Sequence, residues 1–117
     1  MPKLISFDID GTLEVGEPPG KITLDMVREA KGAGCLIGSC SDLTISSQSR
    51  IWNEHGIEVD FTVLKHHLGE LKSRFQAEEY FHVGDTELDR DVSQKSGFIF
   101  VPADSAVRRF WGMSENL

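Results

Sequence analysis

The chain has 117 residues, with 12 Lys or Arg against 19 Asp or Glu, a formal net charge of −7. That length fits one domain with one ordinary core, and the acidic balance excludes the basic surfaces that hold nucleic acid or anionic lipid. No apolar run approaches the roughly 20 residues that cross a bilayer, and the two cysteines, Cys35 and Cys40, share one apolar segment and cannot frame a disulfide scaffold.

Met1-Pro2-Lys3 leads straight into the apolar run Leu4–Phe7, without the layout of a signal peptide, which predicts a cytoplasmic protein. Asp8-Ile9-Asp10-Gly11 ends that run, and Gly16, Pro18, Pro19 and Gly20 mark a loop or tight hairpin. Thr23 is placed to cap a helix reaching about Lys31, with Leu24, Val27 and Ala30 at helical spacing and Gly32 and Gly34 as the stop. Cys35–Cys40 is a second run, followed by Ser41 and Asp42. Ser46–His55 reads as a helix that buries Ile51 and Trp52 and stops at Gly56. Val59–Leu64 is a third run, interrupted by Asp60 and ending at Lys65. Leu68, Leu71 and Phe75 predict a short helix. Tyr80–Val83 is the fourth run, closed by Gly84-Asp85. Leu88 and Val92 mark the helix after it, stopped near Gly97. Phe98–Val101 is the fifth run, and Asp104 caps a last short helix that carries Val107, Phe110 and Trp111.

Short apolar runs alternating with helices predict an α/β domain over residues 1–117, a sheet of five parallel strands with helices on both faces. No repeat, linker or low-complexity stretch interrupts it. Ligand sites of such sheets form at the carboxyl ends of the strands. Here Asp8 and Asp10 follow the first run, Ser41 the second, Lys65 the third and Asp85 the fourth. Carboxylates gathered at one edge repel one another. A divalent cation relieves that repulsion, and an all-oxygen donor set suits Mg²⁺.

Two strings carry a family resemblance. Phe7-Asp8-Ile9-Asp10-Gly11-Thr12-Leu13 resembles the first motif of the haloacid dehalogenase superfamily, and Gly84-Asp85-Thr86-Glu87-Leu88-Asp89 resembles its fourth, G-D-x-x-x-D. A D-x-D-G-T string arises by chance in about one chain in a thousand of this length, so the first motif is specific. Ser41 and Lys65 occupy the places of the second-motif hydroxyl and the third-motif lysine. The resemblance spans Lys3 to about Val101 and implies a Rossmann-like, doubly wound fold and a Mg²⁺-dependent phosphatase. It implies Asp8 as nucleophile, forming an aspartyl-phosphate, and Asp10 as the acid and then the base. Asp8, Asp85 and the main-chain carbonyl of Asp10 would ligate Mg²⁺. Ser41 and Lys65 would hold the phosphoryl oxygens, Asp89 would orient Lys65 or a metal-bound water, and Gly11 and Thr12 would shape the turn that aims the aspartates.

Each residue also has a structural alternative. Ser41 could serve only to cap the following helix, with Ser39 competing for its role, and Lys72 is the fallback for Lys65. Asp85 and Asp89 could simply favour a helix N-terminus. His66, His67, Glu14 and Glu17 lie near strand ends without a required role, and His82 alternates within a strand as a sheet-face or core residue. The cysteines read as small buried apolar residues. Two departures from the family pattern stand out: an acid, Asp42, follows Ser41, and His66 replaces the proline often found after the lysine.

Neither the segment from Gly11 to Ser39 nor that from Asp42 to Lys65 can house a large cap domain. Water exclusion then falls to the substrate, a partner or another subunit. The expected partner is a phosphorylated small molecule or a phosphoprotein, with a homo-oligomer open and an exposed Trp111 or Phe110 as its contact. The competing readings are a receiver-like signalling module and a catalytically quiet relative that binds metal or phosphate. Against the receiver, Ile9 separates the two acids after the first run, and the third run ends in a lysine rather than an aspartate.

Overall fold

In the computed structural model, which describes residues 1–111, Lys3–Phe7 forms β1 at the centre of a sheet. The remaining elements follow in chain order: α1 (Leu24–Gly32), β2 (Leu36–Ser41), α2 (Ile45–Glu54), β3 (Phe61–Leu64), a 3-10 helix (Lys65–Glu70), α3 (Leu71–Arg74), β4 (Glu79–Gly84), α4 (Glu87–Ser96), β5 (Ile99–Pro102) and a final 3-10 helix (Ser105–Trp111). The strands lie in the order β3-β2-β1-β4-β5 and every neighbouring pair is parallel. The five parallel strands and the α/β class are as expected. Among the described residues no helix is long and apolar enough to cross a membrane.

Side-chain alternation explains why both faces are covered. On β1, Ile5 and Phe7 belong to one buried cluster with α1, Trp52 of α2 and the final 3-10 helix. Leu4 belongs to the other, with Leu68, Leu71 and Phe98. Strands buried on both sides read as continuous apolar runs, which is how β1 and β4 appear in the sequence. After β1 the chain winds outward through β2 to β3, then crosses back to place β4 on the other side of β1. The crevice between β1 and β4 is therefore the topological switch point, where open α/β sheets bind ligands.

Several elements differ in detail from the sequence reading. The loop after β1 is no hairpin: it closes on itself through an isolated parallel bridge, Leu13 with Ile22. β3 begins only at Phe61 because Asp60 ends the preceding turn. Its N–H donates to the Ile37 carbonyl at 2.7 Å and its carboxylate accepts from the Ile37 N–H at 2.9 Å. On α4 the buried positions are Asp89 and Ser93, whereas Leu88 is 50% exposed. The predicted helix is present with its inner face shifted by one residue. Trp111 is only 4% exposed and packs edge-on against Phe7, and Phe110 packs on Phe81. Trp111 is thus part of the core rather than an exposed contact. The predicted cap of the last helix forms, with Asp104 accepting the Ala106 N–H at 2.8 Å.

Candidate active site at the switch point

Asp8 is the first residue beyond β1, and its N–H donates to the Val83 carbonyl of β4 at 2.9 Å. That bond extends the β1–β4 pairing one step past the strand and fixes the root of the side chain, which is 4% exposed. The backbone then turns sharply, with the Thr12 and Leu13 N–H groups both donating to the Ile9 carbonyl. Gly11 sits in this turn at φ +76°, and a Cβ there would lie 2.1 Å from Asp85 Oδ2. Only glycine satisfies both the dihedral and the approach of Asp85. Thr12, fully buried, directs its hydroxyl at Asp85 Oδ1 from 3.5 Å, the outer limit of a hydrogen bond.

Asp89 arrives from the N-terminal turn of α4. Thr86 is the N-cap: its hydroxyl oxygen accepts the Asp89 N–H at 3.2 Å, while Asp89 Oδ2 accepts the Thr86 N–H at 3.2 Å and the Thr86 hydroxyl at 2.8 Å. This reciprocal pairing is a capping box, with aspartate in the role usually taken by glutamate. The helix turn packs tightly on the end of β4: a Cβ on Gly84 would stand 2.3 Å from Asp89 Cγ.

Lys65, 6% exposed, opens the 3-10 helix immediately after β3. Its ammonium lies 3.2 Å from Asp89 Oδ1, 3.5 Å from Asp8 Oδ2 and 3.9 Å from Asp42 Oδ2. Burial lowers the ammonium's affinity for its proton, but Asp8, Asp89 and Asp42 together outweigh it and hold Lys65 above its ordinary value. Burial raises the Asp8 carboxyl to about 7; the Asp89 charge adds to this and Lys65 only partly opposes it. Burial would raise Asp89 too, yet its bonds to His82 and Thr86 and the nearby Lys65 hold it well below the usual carboxylate range. The two buried carboxyls are thereby split, one ionised outright and one balanced near neutrality.

One carboxylate oxygen each from Asp8, Asp85 and Asp89 lies within 4.8 Å of the others. A single ammonium does not balance three carboxylates, and oxygen-only donors at this spacing fit a hard divalent cation. Asp89 is already occupied, because its two oxygens accept four donors, from His82, Lys65 and twice from Thr86. Asp8 and Asp85 therefore remain as the side chains with lone pairs to offer. The Asp10 carboxylate is not part of this group; it accepts the Glu17 N–H at 2.9 Å and ties down the loop.

Ser39 and Ser41 are both buried but differ in commitment. The Ser39 hydroxyl donates to Gln48 Oε1 at 2.6 Å and accepts from Trp52 Nε1 at 3.0 Å, which locks it into the core. Ser41 ends β2 at the site edge, and among the described residues its oxygen is found only as acceptor of the Leu43 N–H, at 3.1 Å. Lys72 is far from any such role, its ammonium resting over the Tyr80 ring. His66 and His67 pack with their rings tilted against each other, and His67 faces Glu70 at 3.6 Å. Glu14 caps α1 by accepting the Leu24 N–H. A shallow cavity of about 260 Å³, lined by Asp85, Thr86, Glu87, Arg90 and Phe100 among others, opens beside Asp85.

Ser6 escaped the sequence reading, and His82, read there as a sheet-face or core residue, is indeed buried in the sheet but also reaches the site. Ser6 and His82 face each other across β1 and β4, both without solvent exposure, and His82 reaches Asp89. The signal was present as two polar residues inside otherwise apolar, doubly buried strands. No protein-family model matches the chain, and a search of curated proteins finds no match to it either.

Proposed function

We propose that the chain is a Mg²⁺-dependent phosphatase of the haloacid dehalogenase superfamily, hydrolysing a phosphate monoester through an aspartyl-phosphate on Asp8. The observation that carries this reading is Asp8 itself: a buried carboxylate at the switch point, 3.5 Å from a buried lysine and grouped with the carboxylate of Asp85. Asp8, Asp85 and the main-chain carbonyl of Asp10 would hold Mg²⁺, which would supply charge that offsets the phosphoryl oxygens.

The remaining chemistry belongs to the chain. One Asp8 oxygen attacks phosphorus, and the bond from phosphorus to the ester oxygen breaks. Asp10, anchored through one oxygen to the Glu17 N–H, gives its proton to the departing alkoxide. The same carboxylate then takes a proton from water, whose oxygen attacks the aspartyl-phosphate and returns Asp8 with inorganic phosphate. Lys65 places full positive charge against the transferring group and favours the ionised form of Asp8, partly opposing the effect of burial. Ser41 donates its hydroxyl to a phosphoryl oxygen. The open surroundings of Asp85 suit either a phosphorylated metabolite or a phosphorylated protein side chain, and the buried free cysteines suit a cytoplasmic setting.

The test is hydrolysis of p-nitrophenyl phosphate with Mg²⁺, compared between wild type and Asp8→Asn and repeated with a chelator. Loss of a covalent nucleophile is expected to lower kcat by about 10³-fold or more, and chelation to abolish turnover. Equal rates for the two proteins would overturn the assignment. A phosphate adduct from acetyl phosphate on a residue other than Asp8 would favour the receiver-like reading instead.

A further inference from the structure

We propose that His82 is a positioning residue for this site: held by Ser6, its imidazole fixes the Asp89 carboxylate and, through it, the Lys65 ammonium. The proposal rests on the phosphatase reading for its kinetic consequence, though not for its geometry.

Ser6 and His82 are neighbours in register on β1 and β4, and neither is exposed to solvent. A buried polar pair is costly unless fully hydrogen-bonded, and here it is. Ser6 Oγ lies 3.0 Å from His82 Nδ1, and His82 Nε2 lies 2.8 Å from Asp89 Oδ1. An ionised Asp89 can only accept, so the Nε2 proton belongs to His82. On the other side of the ring Nδ1 pairs with the Ser6 hydroxyl. From Asp89 Oδ1 the path continues to Lys65 at 3.2 Å and to Asp8 at 3.5 Å.

Thr86 alone would not suffice. Both of its bonds go to Oδ2, so Oδ1, the oxygen that faces Lys65, takes its fixed partner from His82 instead. The need is specific to this lysine, because its flexible stem carries a point charge within reach of three carboxylates, Asp8, Asp42 and Asp89. Stability alone does not call for the arrangement, since well-packed apolar side chains often replace a buried ionic network at no loss. The lining of strands β1 and β4 is otherwise apolar at this depth, so such a replacement was open to the fold.

The test compares His82→Gln, whose amide nitrogen can reach the place of Nε2, with His82→Asn, whose amide reaches only the place of Nδ1. Both are polar and neutral, so they differ in reach toward Asp89. Glutamine is expected to retain near wild-type kcat. Asparagine is expected to lower kcat by about 10- to 100-fold, the scale of outer partners that orient site ligands, with the loss larger in kcat than in KM because the Lys65 charge acts most on the transition state. Equal kcat for the two variants in folded protein would overturn the proposal. Wild-type ¹⁵N spectra provide a check that needs no variant and no turnover: a His82 ring protonated at Nε2 is expected, and protonation at Nδ1 alone would overturn it. Should the wild type hydrolyse no phosphomonoester, the phosphatase reading fails, and the Lys65 ammonium resonance decides the positioning role. A shift in asparagine but not in glutamine supports it, and equal spectra refute it.

Discussion

Asp8 illustrates how one buried side chain can oppose folding and serve the site. Burial, with Asp89 adding to it, raises its carboxyl from the ordinary 3.8 to about 7. Between those values the folded chain keeps a proton that the unfolded chain has released. Metal-free stability from this group is therefore present at about pH 4, falls as pH rises toward 7, and levels off above. Asp89, held low by His82, Thr86 and Lys65 against the effect of burial, acts in the opposite sense, its contribution being present above its unfolded value and lost in acid. Asp8→Asn cannot ionise, so without divalent cation it is expected to melt above the wild type at about pH 8, with the gap closing toward pH 4. A wild type that gains stability relative to Asp8→Asn as pH rises would contradict this electrostatic account. Cys40 provides a second residue-scale prediction. Burial raises its thiol to about 12, Lys65 only partly opposing, so the native protein at about pH 8 should resist iodoacetamide at Cys40 and react only after unfolding. Rapid modification of that thiol in the folded chain, read by peptide mass, would show the site to be more open than described.

At the scale of elements, α2 is held to the sheet by a polar clasp rather than by apolar contact alone. Gln48 accepts from Ser39 at 2.6 Å and donates to the carbonyls of Leu43 and Val63 at 2.9 and 3.1 Å, while Trp52 Nε1 donates to the same Ser39 at 3.0 Å. One side chain thus connects β2, β3 and the turn that carries Asp42. Gln48→Leu would keep the volume and leave buried polar groups without partners, which is expected to cost about 1–3 kcal/mol in urea unfolding. A change below a few tenths of a kcal/mol would mean that water takes over these bonds. The same clasp commits Ser39 to the core and leaves Ser41 as the hydroxyl at the strand end, beside the site. Helix α4 makes the complementary point: with Asp89 and Ser93 turned inward, its buried face is polar, and its half-exposed Leu88 belongs to the rim.

For the whole molecule, the winding order places the ends of β1 and β4 side by side, and with them most of the acidic charge of the site. A chain of net charge −7 that gathers three carboxylates in one crevice carries repulsion that a bound cation would release. Mg²⁺ is accordingly expected to raise the melting temperature, by the equivalent of about 2.7 kcal/mol at a hundred times its dissociation constant. Asp85→Asn should lose most of that gain. An equal shift from NaCl at matched ionic strength, or no loss in Asp85→Asn, would show that general screening rather than a site is responsible.

Five apolar runs separated by helical periods were enough to announce five parallel strands, because strands buried on both faces have no solvent side to alternate with. The turn strings Asp8–Leu13 and Gly84–Asp89 announced where the polar residues would gather, since glycine at a tight turn and a capping residue before a helix are local requirements written in adjacent residues. Long-range pairing is different. That Gly11 must make room for Asp85, that Asp89 rather than Leu88 turns inward, that Trp111 closes the core against Phe7, and that Ser6 and His82 meet across two strands 76 residues apart all depend on strand order and register. Those follow from how every face is buried at once, and periodicity, which is a property of one segment at a time, carries no record of them.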